Sequence, residues 1–227
     1  MKRVSLVVIL CLAFCSPAVW AGTIWTHFNN IGSGTVTGTM GGVTVTYTSA
    51  DLNGNTQINN TGTDYWYCAQ FGSICPVYYY PPQGITPPDT VDMVSLNGYN
   101  VTHTLTFSSP VTNPVMAIIS LGDPGPYYTT YYFDHPPTIL TSGAGWWVPG
   151  FTGSLIYTGV NGIQGIEGNG LVEFYGTYSE ISWTGDDANA EYWNGFNVGA
   201  VPEPGTLALL GTSIVGLAGM LRRKLAK

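Results

Sequence analysis

Polar and apolar residues alternate through most of the middle of the chain with the two-residue period of half-buried strands. Thr35-Val36-Thr37-Gly38-Thr39 and Val43-Thr44-Val45-Thr46-Tyr47 flank Met40-Gly41-Gly42, which predicts a hairpin. Val101-Thr102-His103-Thr104-Leu105-Thr106-Phe107 alternates the same way. Pro114 to Leu121 is more continuously apolar and suits a strand covered on both faces. Further strands are predicted at Tyr127–Phe133, Ser154–Thr158, Leu171–Gly176, Glu180–Thr184 and Phe196–Ala200. Turn residues separate them at short intervals, and no helical pattern precedes the C-terminal end. The expected fold is all-β, a two-sheet sandwich of jelly-roll-like character. Asp51 to Pro88 is polar and proline-rich; it reads as an elaborated loop or as a partly disordered segment. No internal repeat of fixed period is present.

The two ends break this pattern. Met1-Lys2-Arg3, the apolar run Val4 to Phe14 and the small residues Val19 and Ala21 form a secretory signal. Signal peptidase is expected to cut between Ala21 and Gly22. A lipoprotein reading would use Cys15, but Phe14 is too large beside a modified cysteine. At the other end Val201-Pro202-Glu203-Pro204-Gly205 leads into the uncharged run Thr206 to Leu221 and then Arg222-Arg223-Lys224. Pro202 and Pro204 hold the backbone extended, the form in which a protease takes a substrate. The run 206–221 predicts a membrane helix of roughly 24 Å, slightly short of a ~30 Å hydrocarbon core. Its basic flank would lie on the cytoplasmic side. The expected layout is a signal peptide at 1–21, an exported domain at 22–200 and a tail at 201–227.

That tail, with its Pro202-Glu203-Pro204 motif, apolar helix and basic end, resembles the sorting tail of PEP-CTERM proteins. The resemblance covers Val201 to Lys227 alone. It implies export through the inner membrane of a Gram-negative bacterium and transient anchoring by the helix. Cleavage near Pro202-Glu203-Pro204 by an exosortase, an integral-membrane cysteine transpeptidase-like enzyme, would follow. The body would then reach the cell surface or an extracellular polysaccharide layer. In this reading Glu203 is part of a substrate.

Charge sharpens the division. All six Lys and Arg lie in the two ends, while 22–201 carries twelve Asp and Glu. Without cations to neutralise phosphates, the domain is not a nucleic-acid binder, nor does it suit an anionic lipid surface. Cys68 and Cys75 are the cysteines left after signal removal. In an oxidising compartment such a pair reads as a disulfide, with free thiols and, last, a metal site as the alternatives.

Candidate chemistry is thinner. Glu167, Glu173, Glu180, Asp186, Asp187 and Glu191 could supply a glycosidase-type carboxylate pair, although alternation places Glu173 outward. His27, His103 and His135 lack a nucleophile elbow, and His103 shares the apolar face of its strand. Calcium is the one cofactor the loops suggest, through Asp51, Asn53 and Asn55 or through Asp186 and Asp187. Ordinary turns account for both stretches. The aromatics are more suggestive. Tyr127, Tyr128, Tyr131, Tyr132, Trp146 and Trp147 are candidates for stacking on sugar rings, with one ring of each strand pair turned into the core. Tyr65-Trp66-Tyr67 and Tyr78-Tyr79-Tyr80 cluster near the cysteines. The leading expectation is a non-enzymatic surface or matrix protein. A carbohydrate-binding module and a polysaccharide-active enzyme follow it.

Overall fold

Gly41 and Gly42 both take positive φ (55° and 89°), the conformation a two-residue hairpin turn needs and glycine permits. They join β3 (Thr35–Met40) to β4 (Val43–Thr48), the predicted hairpin. This computed structural model describes residues 22–68, 72–79, 85–123, 128–146, 153–186 and 193–202, together with Gly216. The remaining strands are β1 (Ile24–Trp25), β2 (His27–Gly32), β5 (Tyr67–Cys68), β6 (Ser73–Ile74), β7 (Val94–Leu96), β8 (Thr102–Thr112) and β9 (Pro114–Leu121). They continue with β10 (Thr129–Phe133), β11 (Thr138–Gly143), β12 (Ile156–Thr158), β13 (Gly162–Gly165), β14 (Gly168–Glu173), β15 (Thr177–Asp186) and β16 (Asn194–Ala200). A single turn of helix, α1, spans Pro76–Tyr79.

Two antiparallel sheets carry the fold. One has eight strands in the order β12-β13-β10-β15-β8-β4-β3-β2; the other has six, β1-β16-β9-β14-β11, with β7 also on β16. From β8 onward the pairing is nested: β8 with β15, β9 with β14, β10 with β13. A long antiparallel ribbon rolled onto itself produces this jelly-roll nest. At its fold, β11 and β12 meet through side chains. The Ser142 hydroxyl donates to the Leu155 carbonyl at 3.1 Å and accepts the Leu155 amide at 2.5 Å. The Ile139 amide donates to the Tyr157 hydroxyl at 2.6 Å, so this sheet edge does not present a bare ladder. At the other edge the chain itself crosses between sheets, where the Thr26 amide and hydroxyl both donate to Val198 O.

The inner core lies between the sheets. Met116, Ile118, Val172, Phe174, Phe196 and Val198 face Leu105, Phe107, Tyr131 and Trp183 across it. The six-stranded sheet is covered on its outer face as well, which explains why every residue of β9 and β14 is buried. There Val115, Ala117, Ile119 and Leu171 meet Trp25, Trp66, Cys68, Cys75, Val77, Ile85 and Met93 in a second cluster. The stretch expected to be loop or disorder thus supplies a second core, with 69–71 and 80–84 outside the described residues. Cys68 and Cys75 form the expected disulfide. Glu173 corrects an expectation: it stands on this covered face at 8% exposure rather than in solvent, because α1 and its neighbours pack over β14.

The strands define two poles of the compact unit Gly22–Val201. β1 and the end of β16 lie together at one, with Ile24 opposite Ala200 and Ala200 opposite Pro114. At the other pole β9, β11, β13 and β15 end and β10, β14 and β16 begin. Both the entry and the exit of the domain are therefore at the pole away from these loops.

Candidate functional site

The loop-bearing pole gathers most of the residues that the sequence singled out. Asp51 is buried there, and its carboxylate accepts the amides of Asn97 (3.3 Å), Gly98 (2.9 Å) and Tyr99 (3.1 Å). Burial raises its pKa, and the three amides pull against that shift. Asn53 donates to the Asn97 side chain at 2.7 Å and accepts the Asn55 amide at 2.9 Å. These oxygens organise turns. Asp186 ends β15 opposite Thr130, while Asp187 lies outside the described residues. Among the described residues, no three His, Cys, Asp or Glu side chains converge as a metal site would require.

A polar cluster that the sequence did not reveal sits at the same pole, where β9 ends and β14 begins. Ser120 and Glu167 both adopt left-handed backbone (φ 58° and 51°), a strain that surrounding structure must hold. The Ser120 hydroxyl donates to the Glu167 carboxylate, and the Ser120 amide donates to Asn169 Oδ1 at 3.0 Å. Burial raises the Glu167 pKa, the hydrogen bond from Ser120 opposes that, and the charge of Asp123 adds to it. Glu167 and Glu173 do not form a pair. They lie at opposite ends of β14, roughly 20 Å apart at about 3.3 Å per residue, against the 5–10 Å that glycosidases use. Glu180 is exposed on the eight-stranded sheet opposite Thr106, and Glu191 lies outside the described residues.

His103 is a core residue. Its Nδ1 shares a 2.8 Å hydrogen bond with the Tyr47 hydroxyl and its ring stacks on Trp183 at 5.1 Å. Burial lowers its pKa to about 4, so it is neutral. His27 and His135 sit 3.5 and 3.7 Å from Asp92 and Asp134.

The aromatic candidates separate. Tyr131 points into the core at 1% exposure and donates to the Asn194 side chain, leaving no ring face for a sugar. Tyr128 and Tyr132 are both 46% exposed. Trp146 is half-buried and meets Tyr65 edge-on at 5.3 Å, and Tyr65 lies 4.9 Å from Trp193. Tyr127 and Trp147 lie outside the described residues. Beside Tyr65 opens a groove of about 370 Å³ whose lining includes Asn55, Gln57, Thr61, Gly62 and Thr63. The signal for it was present as a polar run leading directly into Tyr65-Trp66-Tyr67.

β16 ends at Ala200, and Val201-Pro202 follows at once. A family model for the PEP-CTERM protein-sorting motif matches residues 200–224. The chain carries a PEP-CTERM sorting signal. That signal marks it for export and for recognition by an exosortase, toward the cell surface. No curated protein and no solved structure matches the chain. Of the Pro202-Glu203-Pro204 motif, Pro202 is described; Glu203, Pro204, Arg222, Arg223 and Lys224 lie outside the described residues, as does Ala21 at the expected signal-peptidase cut. Among the described residues no helix is long and apolar enough to cross a membrane, and of 206–221 only Gly216 is described.

Proposed function

We propose that this PEP-CTERM chain is a non-enzymatic cell-surface or matrix protein of a Gram-negative bacterium. Its first 21 residues are removed on export, and the run 206–221 holds it in the inner membrane. Exosortase cleaves near Pro202-Glu203-Pro204, and the domain joins the extracellular layer. The observation that carries this reading is the sorting motif beginning on the last residue of β16. A protease that needs an extended segment finds it where the ladder of the domain stops. Replacing Pro202, Glu203 and Pro204 with alanine is expected to leave the uncleaved form in the membrane fraction. Mass spectrometry of both termini in wild type is expected to give Gly22 at one end and a missing tail at the other. Unchanged processing of the triple variant would refute the reading.

A second reading, a carbohydrate-binding module that retains an extracellular polysaccharide, is favoured by one observation. Tyr65, Trp146 and Trp193 come from three distant segments and meet beside a polar groove.

A further inference from the structure

The groove along residues 54–65 is shaped before any ligand arrives. Gln57 donates to Thr63 O at 2.9 Å and to Val91 O at 3.2 Å, and accepts the Thr63 amide at 2.5 Å. Asn59 and Asn60 are both left-handed (φ 58° and 53°), and the Asn60 amide donates to the buried Asp92 carboxylate at 2.6 Å. Gly62 sits at φ 126°, and a Cβ there would fall 1.8 Å from Gln57 Oε1. A loop so tied loses little freedom on binding, which lowers the cost of association.

The groups it leaves for a ligand are uncharged. Asn55, Thr61 and Thr63 are exposed, and the Thr61 hydroxyl, which donates to Ile58 O at 2.7 Å, keeps acceptor capacity. Tyr65 forms the wall, braced by Trp146 and Trp193. Amide, hydroxyl and aromatic groups in one cleft suit a sugar, whose ring offers C–H faces and a rim of hydroxyls. The cleft volume of about 370 Å³ falls at the small end of ligand sites. Charge then decides which sugars. The domain has no Lys or Arg between residues 22 and 201 and twelve carboxylates, so a uronate or sulfated chain would meet repulsion without a counter-charge.

We infer that this groove binds a neutral polysaccharide, lying against Tyr65 and hydrogen-bonded by Asn55, Thr61 and Thr63. The inference deepens the binding-module reading and rests on it. It also places the bound glycan on the 54–65 loop rather than on the exposed Tyr128 and Tyr132.

Affinity electrophoresis and calorimetry of the full-length protein test it, with laminarin, hydroxyethyl cellulose and dextran as neutral polymers and alginate and polygalacturonate as anionic ones. At least one neutral polymer is expected to bind, and neither anionic one. Tyr65→Ala is expected to weaken binding about tenfold or more, as loss of an aromatic anchor does. Tyr128→Ala and Tyr132→Ala are expected to bind as wild type. Should Tyr65→Ala fail to fold by near-ultraviolet circular dichroism, the exposed pair Asn55→Ala with Thr63→Ala decides. A loss of about fivefold supports the groove, and unchanged binding overturns it. Binding only to anionic polymers, binding lost in Tyr132→Ala but kept in Tyr65→Ala, or no binding at all each overturns the inference. A blank result with normal tail processing leaves the export reading standing; unchanged processing of the triple variant with glycan binding intact does the reverse.

Discussion

The two sheets of the sandwich are made of similar strands and live in different surroundings. The eight-stranded sheet keeps one face wet, so β3, β4 and the first half of β8 alternate buried and open positions. The six-stranded sheet is dry on both faces, so β9 and β14 show no alternation in burial. The difference comes from the disulfide-bearing segment between Trp66 and Ile85, which packs Trp66, Val77 and Ile85 against the outer face. One sheet needs a single partner layer, and the other needs two.

Adjacent isoleucines on β9 give the hardest test of that contrast. Ile118 joins the inner core and Ile119 the outer one, both fully buried. Each change to alanine is expected to cost about 2–5 kcal/mol in urea denaturation. An Ile119→Ala cost well under 1 kcal/mol would show that the outer layer is a loose cover and not a core.

Next in size is an acid weakness of the inner core. His103 is neutral when folded, with a pKa of about 4, and titrates near 6.5 when unfolded. Between those values the unfolded chain binds the extra proton, so stability falls as pH drops from about 6.5 to about 4. The full loss is on the order of 3 kcal/mol. Asp51 and Glu167 act oppositely: burial raises their pKa values, so what they cost near neutrality is returned as pH falls through that raised range. His103→Phe therefore should flatten the acid limb relative to wild type. Equal slopes in the two proteins would remove His103 as the cause.

The smallest expected effect sharpens the comparison further. Replacing Cys68 and Cys75 with serine opens a short loop and should cost about 2–3 kcal/mol on the chain-entropy account. The loss should appear first as proteolysis between residues 64 and 88, with the inner core intact. Cleavage spread evenly over the domain would mean that the two layers unfold as one.

Much of the open sheet was legible. Alternation placed β3, β4 and β15, and Gly41-Gly42 announced their turn, because each strand had only to sort its residues between core and water. The apolar run of β9 announced a doubly covered strand but not its cover. β11 was missed: its residues are half-buried except for the exposed Ser142, and they lack a two-residue rhythm. β13 was missed because glycines hold two of its four positions. Of the site, the aromatics were visible as types and not as partners. Tyr65, Trp146 and Trp193 are separated by some eighty and forty-seven residues, and no local pattern joins them.

Read alone, the chain established its sorting motif, its strand-rich body and the absence of Lys and Arg between residues 22 and 201. Those properties reside in composition and in short contiguous stretches, where each residue answers to its neighbours or to water. Tertiary structure alone settled that Glu173 is covered, that Ser120 and Glu167 are held strained together, and that a polar loop carries a groove beside three aromatic rings. Each of these depends on which distant backbone arrives at the same place, and side-chain periodicity holds no record of that.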